Sequence, residues 1–155
     1  MFCTVFVLGL RVGTEGSKWA LRGVLLDPAT DEVLPTTIDH FPKKSHSAAQ
    51  QAHDAHDALA GALSAYEIHA VVLREADHHR SARIQDGTKK RLRLEGACLA
   101  ACQALGVPVE VMDGQAIGRA IGASKDGAED AARQLGVAAN LVEAAAAALA
   151  AKSLI

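Results

Sequence analysis

The stretch "IHAVVL" (68–73) is apolar at five of six positions and lies between two long segments with helical spacing. A run so apolar and so short fits a strand covered on both faces, at the centre of a sheet. It fixes how the rest can be arranged. Upstream, "CTVFVLGL" (3–10) reads as a second buried strand, followed by a glycine-containing turn, "RVGTEG". "KWALRGVLLD" (18–27) is a strand, and "DPATDE" is a turn with Asp27 and Pro28 in typical turn roles. "VLPTTID" (33–39) is a strand at an edge, because Pro35 has no N–H to give to a ladder.

Helical segments supply the crossovers. Between Ser47 and Tyr66, Ala48, Ala52, Ala55, Leu59, Leu63 and Tyr66 share one stripe, the spacing of a helix packed on a sheet. After the central strand, a polar loop (75–87) leads to a helix at 88–105, stopped by Gly106 with Pro108 beyond, and then to a strand at 108–112. Three helices close the chain at 114–121, at 125–135 with Ser124 as N-cap, and at 138–152. The order βββαβαβ plus helices predicts an α/β fold. Its mixed five-stranded sheet combines a three-strand antiparallel meander with two parallel strands, flanked by helices on both faces. A length of 155 residues suits one domain, 1–155.

Composition removes some function classes. Net charge is −2, so contact with nucleic acid or membrane needs a local patch rather than a global field. Aromatic residues are few (Phe2, Phe6, Trp19, Phe41, Tyr66) and offer few platforms for stacking bases. Cys98 and Cys102 are one helical turn apart and, with Cys3, read as reduced core thiols of a cytoplasmic protein. No signal peptide or membrane span is expected, since the N-terminal apolar run is short and lacks a basic flank.

In this order the motifs carry a resemblance. "VFVLGLRVGTEGSKWAL", "HAVVLREAD", "RLRLEGACLAACQALGVPVEVM", "IGRAIGASKDGAEDAARQLGV" and "ANLVEAAAAALAA" together resemble the RNase H-like fold. The likeness is closest to RuvC-type Holliday junction resolvases and their YqgF-type relatives, and covers nearly the whole chain. The resemblance implies four carboxylates that gather two divalent metals to cut a phosphodiester. Position by position, the first aspartate falls on Arg11, the central glutamate on Arg74, and the closing acids on Asn140 and Glu143. Only Glu143 keeps its charge. Hard divalent ions need anionic oxygens, so the expectation is a catalytically degenerate domain with no metal and no cofactor. Shifting the register to use Glu75 instead of Arg74 would turn the side chain to the opposite face.

Two roles are open for the arginines. They pair with Glu143 as a plug in the former metal site, or they grip a phosphate without cutting it. The resemblance implies a nucleic-acid-binding or scaffolding protein, weakly bound to branched or structured DNA or RNA. The competing reading is an active Mg²⁺-dependent, structure-selective endonuclease with a relocated acid set drawn from Glu75, Asp77, Asp113 and Glu143. A third is a protein-interaction module with no nucleic-acid role.

Four further features stand beside these readings. The run "HHRSARIQDGTKKRLR" (78–93) is the densest basic patch, and Arg80, Arg83, Lys89, Lys90 and Arg93 are its candidate nucleic-acid contacts. On the same helix Leu94, Cys98, Ala101 and Leu105 face inward, while Leu92, Gly96 and Leu99 form a second stripe. That stripe packs against the terminal helices or makes a homodimer contact. "HDAHD" (His53, Asp54, His56, Asp57) lacks a clear third metal ligand unless His46 joins it, and reads as a solvated face, as do His78 and His79. "GLRVGTEG" lacks the lysine and the helix of a phosphate-binding loop.

Overall fold

The computed structural model describes residues 3–34, 38–77 and 86–155. Its five strands are β1 (Phe6–Glu15), β2 (Lys18–Leu26), β3 (Ile38–His40), β4 (Ile68–Arg74) and β5 (Val109–Met112), in the spatial order β3-β2-β1-β4-β5. β1 pairs antiparallel with β2 and parallel with β4; β2–β3 is antiparallel and β4–β5 parallel. The mixed sheet of the sequence reading is therefore present. The helices are α1 (Ala48–Ala65), α2 (Asp86–Ala104), α3 (Gly114–Ala120), α4 (Lys125–Gln134) and α5 (Val142–Ala151).

The alternation of each strand feeds two cores. Leu8, Leu10, Leu21, Leu25, Val71 and Leu73 point to one face, which α1 and α2 cover through Leu59, Leu63, Leu94 and Cys98. Val7, Val24, Leu26, Ala70 and Val72 point to the other, where α5 lies with α3 and α4 outside it. α5, "VEAAAAALAA", brings methyl groups instead of long side chains, and its backbone reaches β1. A Cβ on Gly9 would overlap the backbone of Ala144 and Ala148, so only glycine fits there.

Local signals explain the boundaries. Ser47 caps α1 in a reciprocal box with Gln50 (3.2 Å from Gln50 N–H to Ser47 Oγ), and Ser124 caps α4 by accepting from Gly127 N–H at 3.0 Å. Gly106, at φ +67°, follows the end of α2 in the left-handed conformation glycine favours.

Several expectations change. β1 does not stop at residue 10 but runs through Arg11 to Glu15, with its two-residue turn at Gly16–Ser17. Gly13 is no turn residue: a Cβ there would collide with the Arg11 guanidinium. The strand placed at 33–39 is reduced to Ile38–His40 plus a single bridge from Val33 to Leu26, and Pro35 lies outside the described residues. The closing helix at 138–152 begins instead as a 3₁₀ turn, Ala139–Leu141, that holds Asn140. On α1, Ala48 is exposed and Gln51 takes a buried place on the stripe, since the capped first turn overhangs the sheet. Leu105, just past α2, is 46% exposed rather than inward. Cys98 and Cys102 are buried, whereas Cys3 is exposed and not a core thiol.

Candidate functional site

Register places the key residues side by side. Across the sheet, Asp39, Arg22, Arg11, Arg74 and Met112 are successive Cα partners on β3, β2, β1, β4 and β5. In-register side chains share a face, and here it is the α5 face. Three arginines thus stand in one row where the parallel pairing of β1 with β4 ends. Arg22 was not singled out from the sequence. A two-residue turn at Gly16–Ser17 would have revealed it, because that hairpin forces Arg11 opposite Arg22.

Each arginine has its own carboxylate. Arg11 pairs with Glu143 at the start of α5. Arg22 pairs with both Glu15 (Nε to Oε1, 3.1 Å) and Asp39, and stacks on Phe41 with its guanidinium 4.8 Å from the ring centre. Arg74, only 6% exposed, does not meet Glu143 as the plug reading expected of both arginines. It donates to the Glu75 carbonyl and pairs with Asp77 at 3.3 Å. Asp77 is the hub of this end, also taking Lys125 Nζ at 2.5 Å and the Gly114 N–H at 3.0 Å. Those hydrogen bonds, Lys125's foremost, lower its pKa to about 2. Arg22 likewise holds Glu15 below the usual range, with a smaller contribution from Asn140. Gly114 leaves clearance where a Cβ would press on Arg74 and Lys125.

The row is closed electrically, and sterically at its Arg74 end. Four cations (Arg11, Arg22, Arg74, Lys125) meet four carboxylates (Glu15, Asp39, Asp77, Glu143). The space lined by Arg74, Gly114, Lys125, Glu129 and Glu143 measures about 10 Å³, no more than one water requires. The residues present do not fit a pair of divalent metals, because each acid is already neutralised by a neighbouring cation.

The relocated acids are not brought together either. Asp113 caps α3 by accepting from Ala116 N–H at 2.8 Å, Asp77 and Glu143 are bound to Lys125 and Arg11, and Glu75 belongs to the other side. There, buried Glu95 on α2 bonds to Arg91 at 3.2 Å; burial pushes its pKa up, and the charge of Glu75 adds to the rise. Among the described residues no three His, Cys, Asp or Glu side chains gather as metal ligands. In "HDAHD", His53 meets Asp57 at 3.2 Å and His56 meets it at 3.5 Å, while Asp54 goes to His46 at 2.7 Å.

Of the basic candidates, Lys89 and Arg93 are exposed one turn apart on α2, and Lys90 leans toward Trp19. Arg80 and Arg83, with His78 and His79, lie outside the described residues. α2 packs on α1, β1 and β5, across the sheet from the terminal helices, so its Leu92–Gly96–Leu99 stripe does not pack against them. Leu92 is 56% exposed, and nothing lies within 4 Å of a Cβ built on Gly96.

Strand order and crossovers give an RNase H-like fold of the kind seen in RuvC. The chain is similar to Thermus thermophilus RuvC in two structures, one of RuvC (20% identity, 94% of this chain and 92% of that one, TM-score 0.70) and one of RuvC in complex with Holliday junction substrate (21%, 94% and 91%, 0.69). It is also similar to the yeast mitochondrial Holliday junction resolvase, at 13% identity over 99% of this chain and 78% of the other, with a TM-score of 0.53. No family model and no curated protein matches the sequence.

Proposed function

We propose that this chain is a non-cleaving, nucleic-acid-binding domain of RuvC architecture, directed at branched or structured nucleic acid. The observation that carries the reading is the closed row. Where the resemblance calls for a carboxylate cage, Arg11 and Arg74 stand paired with Glu143 and Asp77, and the space that Arg74 and Glu143 line measures about 10 Å³. The phosphate-gripping alternative is disfavoured by the same pairing, since a guanidinium already neutralised by a carboxylate has little left for a phosphate. Binding then falls to exposed cations, of which Lys89 and Arg93 project from α2. Similarity to a resolvase solved with its junction supports a branched ligand.

Anisotropy of a labelled four-way junction at low salt, with EDTA, tests the binding. Incubation with Mg²⁺ or Mn²⁺ tests the chemistry. The expected result is salt-sensitive binding without products, with Lys89→Ala and Arg93→Ala each lowering the salt slope by about one. Metal-dependent cleavage lost in Glu143→Gln would overturn it in favour of the nuclease.

A second reading is favoured by the open positions Leu92 and Gly96 on α2, beside half-buried Leu99: a dimeric adaptor in which this stripe meets a second copy. Light scattering decides it, with a dimer expected to become monomeric in Leu92→Glu.

A further inference from the structure

Away from the arginine row, three segments meet around a surface cleft of about 530 Å³. The β1–β2 hairpin gives Ser17, Lys18 and Trp19, the stretch after β3 gives Pro42 and Lys44, and α2 gives Lys90. Among the described residues its lining holds three lysines and no carboxylate. Among the described residues none of these lysines forms an ion pair, in contrast to the row, where every cation has its acid. The positive charge here is available to an outside anion. A lysine ammonium, compact and freely rotating, suits a phosphate as a point charge.

The aromatic wall gives the ligand its second half. Trp19 is the chain's single tryptophan and is only partly covered. Lys90 Nζ lies over its ring at 6.0 Å, and a Cβ built on Gly87 would meet the ring edge at 3.7 Å, an ordinary contact distance, so the first turn of α2 flanks that edge. A flat apolar face beside three free ammonium groups matches a nucleotide, with its base on the indole and its phosphate among the lysines. A paired base in a duplex is stacked on both sides and has no face to give, so the nucleotide must be unpaired. The volume falls in the range of small-ligand pockets. Trp19 pairs with Thr14, three residues along the hairpin from the Arg11–Arg22 pair, which places it about 10 Å beyond the row and on the α1–α2 face of the sheet.

We infer that this cleft binds an unpaired nucleotide of a nucleic-acid strand, stacking its base on Trp19 and holding its phosphate between Lys18, Lys44 and Lys90. The inference rests on the nucleic-acid-binding reading above and specifies which strand feature that reading engages. Because Trp19 is the only indole, its fluorescence reports on this cleft alone. The full chain is titrated with oligothymidylate and, separately, with a labelled four-way junction followed by anisotropy. Saturable, salt-sensitive quenching by the oligonucleotide is expected, weakened at least about tenfold in Lys44→Glu, an exposed position whose change leaves the fold intact. Trp19→Ala, checked for folding by circular dichroism, is expected to weaken binding of a labelled oligonucleotide by about five- to 150-fold. Junction binding without quenching, or unchanged affinity in a folded Trp19→Ala, overturns this inference and leaves the proposed function standing. Absence of both signals removes both. Equal quenching by polyglutamate at matched charge overturns the nucleotide assignment, since it would show a site for any polyanion.

Discussion

Asp77→Asn tests whether the end of the row is held together by charge. The substitution keeps the side chain's shape but removes the anion that receives Lys125 at 2.5 Å and Arg74 at 3.3 Å. Its pKa falls from 3.8 to about 2 in the folded protein, worth about 2 kcal/mol at 1.36 kcal/mol per pH unit. The carboxylate is 31% exposed, so solvent screening reduces this to about 1 kcal/mol. Arg74, at 6% exposure, keeps its bond to the Glu75 carbonyl but loses its charged partner, which adds about 1–2 kcal/mol. Urea unfolding at pH 7 should show a loss of about 2–3 kcal/mol, or roughly 5–10 °C in Tm for a chain of this size. A depressed carboxylate pKa stabilises above the unfolded value and ceases to do so as pH falls through the folded one. The gap between the two proteins should therefore be full above pH 3.8 and close as pH falls through about 2. Equal urea midpoints at pH 7, or a gap undiminished at pH 2, would refute the reasoning.

Three other outcomes follow from the packing and the site. Gly9→Ala should cost about 3 kcal/mol or more, because backbone of α5 fills the space, whereas Gly61→Ala, open on the exposed side of α1, should add about 1 kcal/mol; paired melting curves measure both. Replacing Arg11→Asp, Arg74→Glu and Asn140→Asp together should create Mn²⁺ binding absent from the parent chain, seen as loss of the free-ion signal in electron paramagnetic resonance. A thiol reagent at pH 8 should label exposed Cys3 first, although the Glu67 carboxylate holds its thiol above the ordinary value, and spare Cys98, whose thiol burial raises to about 12, and Cys102, raised to about 11, until urea is added.

The fold was legible because its signals are local. Apolar runs at 68–73 and 3–10 mark the strands buried on both faces, and Gly106 and Ser124 mark helix ends. What escaped depends on pairing between distant segments. The alternation Arg11, Gly13, Glu15 looks like a polar turn, yet it is one strand face turned toward charged partners on β2 and α5. Asp77 and Lys125 are 48 residues apart and nothing local joins them. The Arg11–Glu143 pair could be reached through the resemblance, but the partner of Arg74 could not, since it depends on how the chain turns after β4.

The methyl-sided α5 determines where this chain is free to change. Seated directly on β1 at Gly9, the helix has no slack, and an added carbon anywhere along that seam would have to displace main chain. The row at its N-terminal end is different, for it opens toward solvent at Arg11 and Glu143, which are about one-third exposed. Exchanging the sign of a charge there disturbs no backbone. Tolerance to substitution is therefore uneven: at Gly9 the frame admits no larger residue, while the exposed end of the row can take a different charge one side chain at a time.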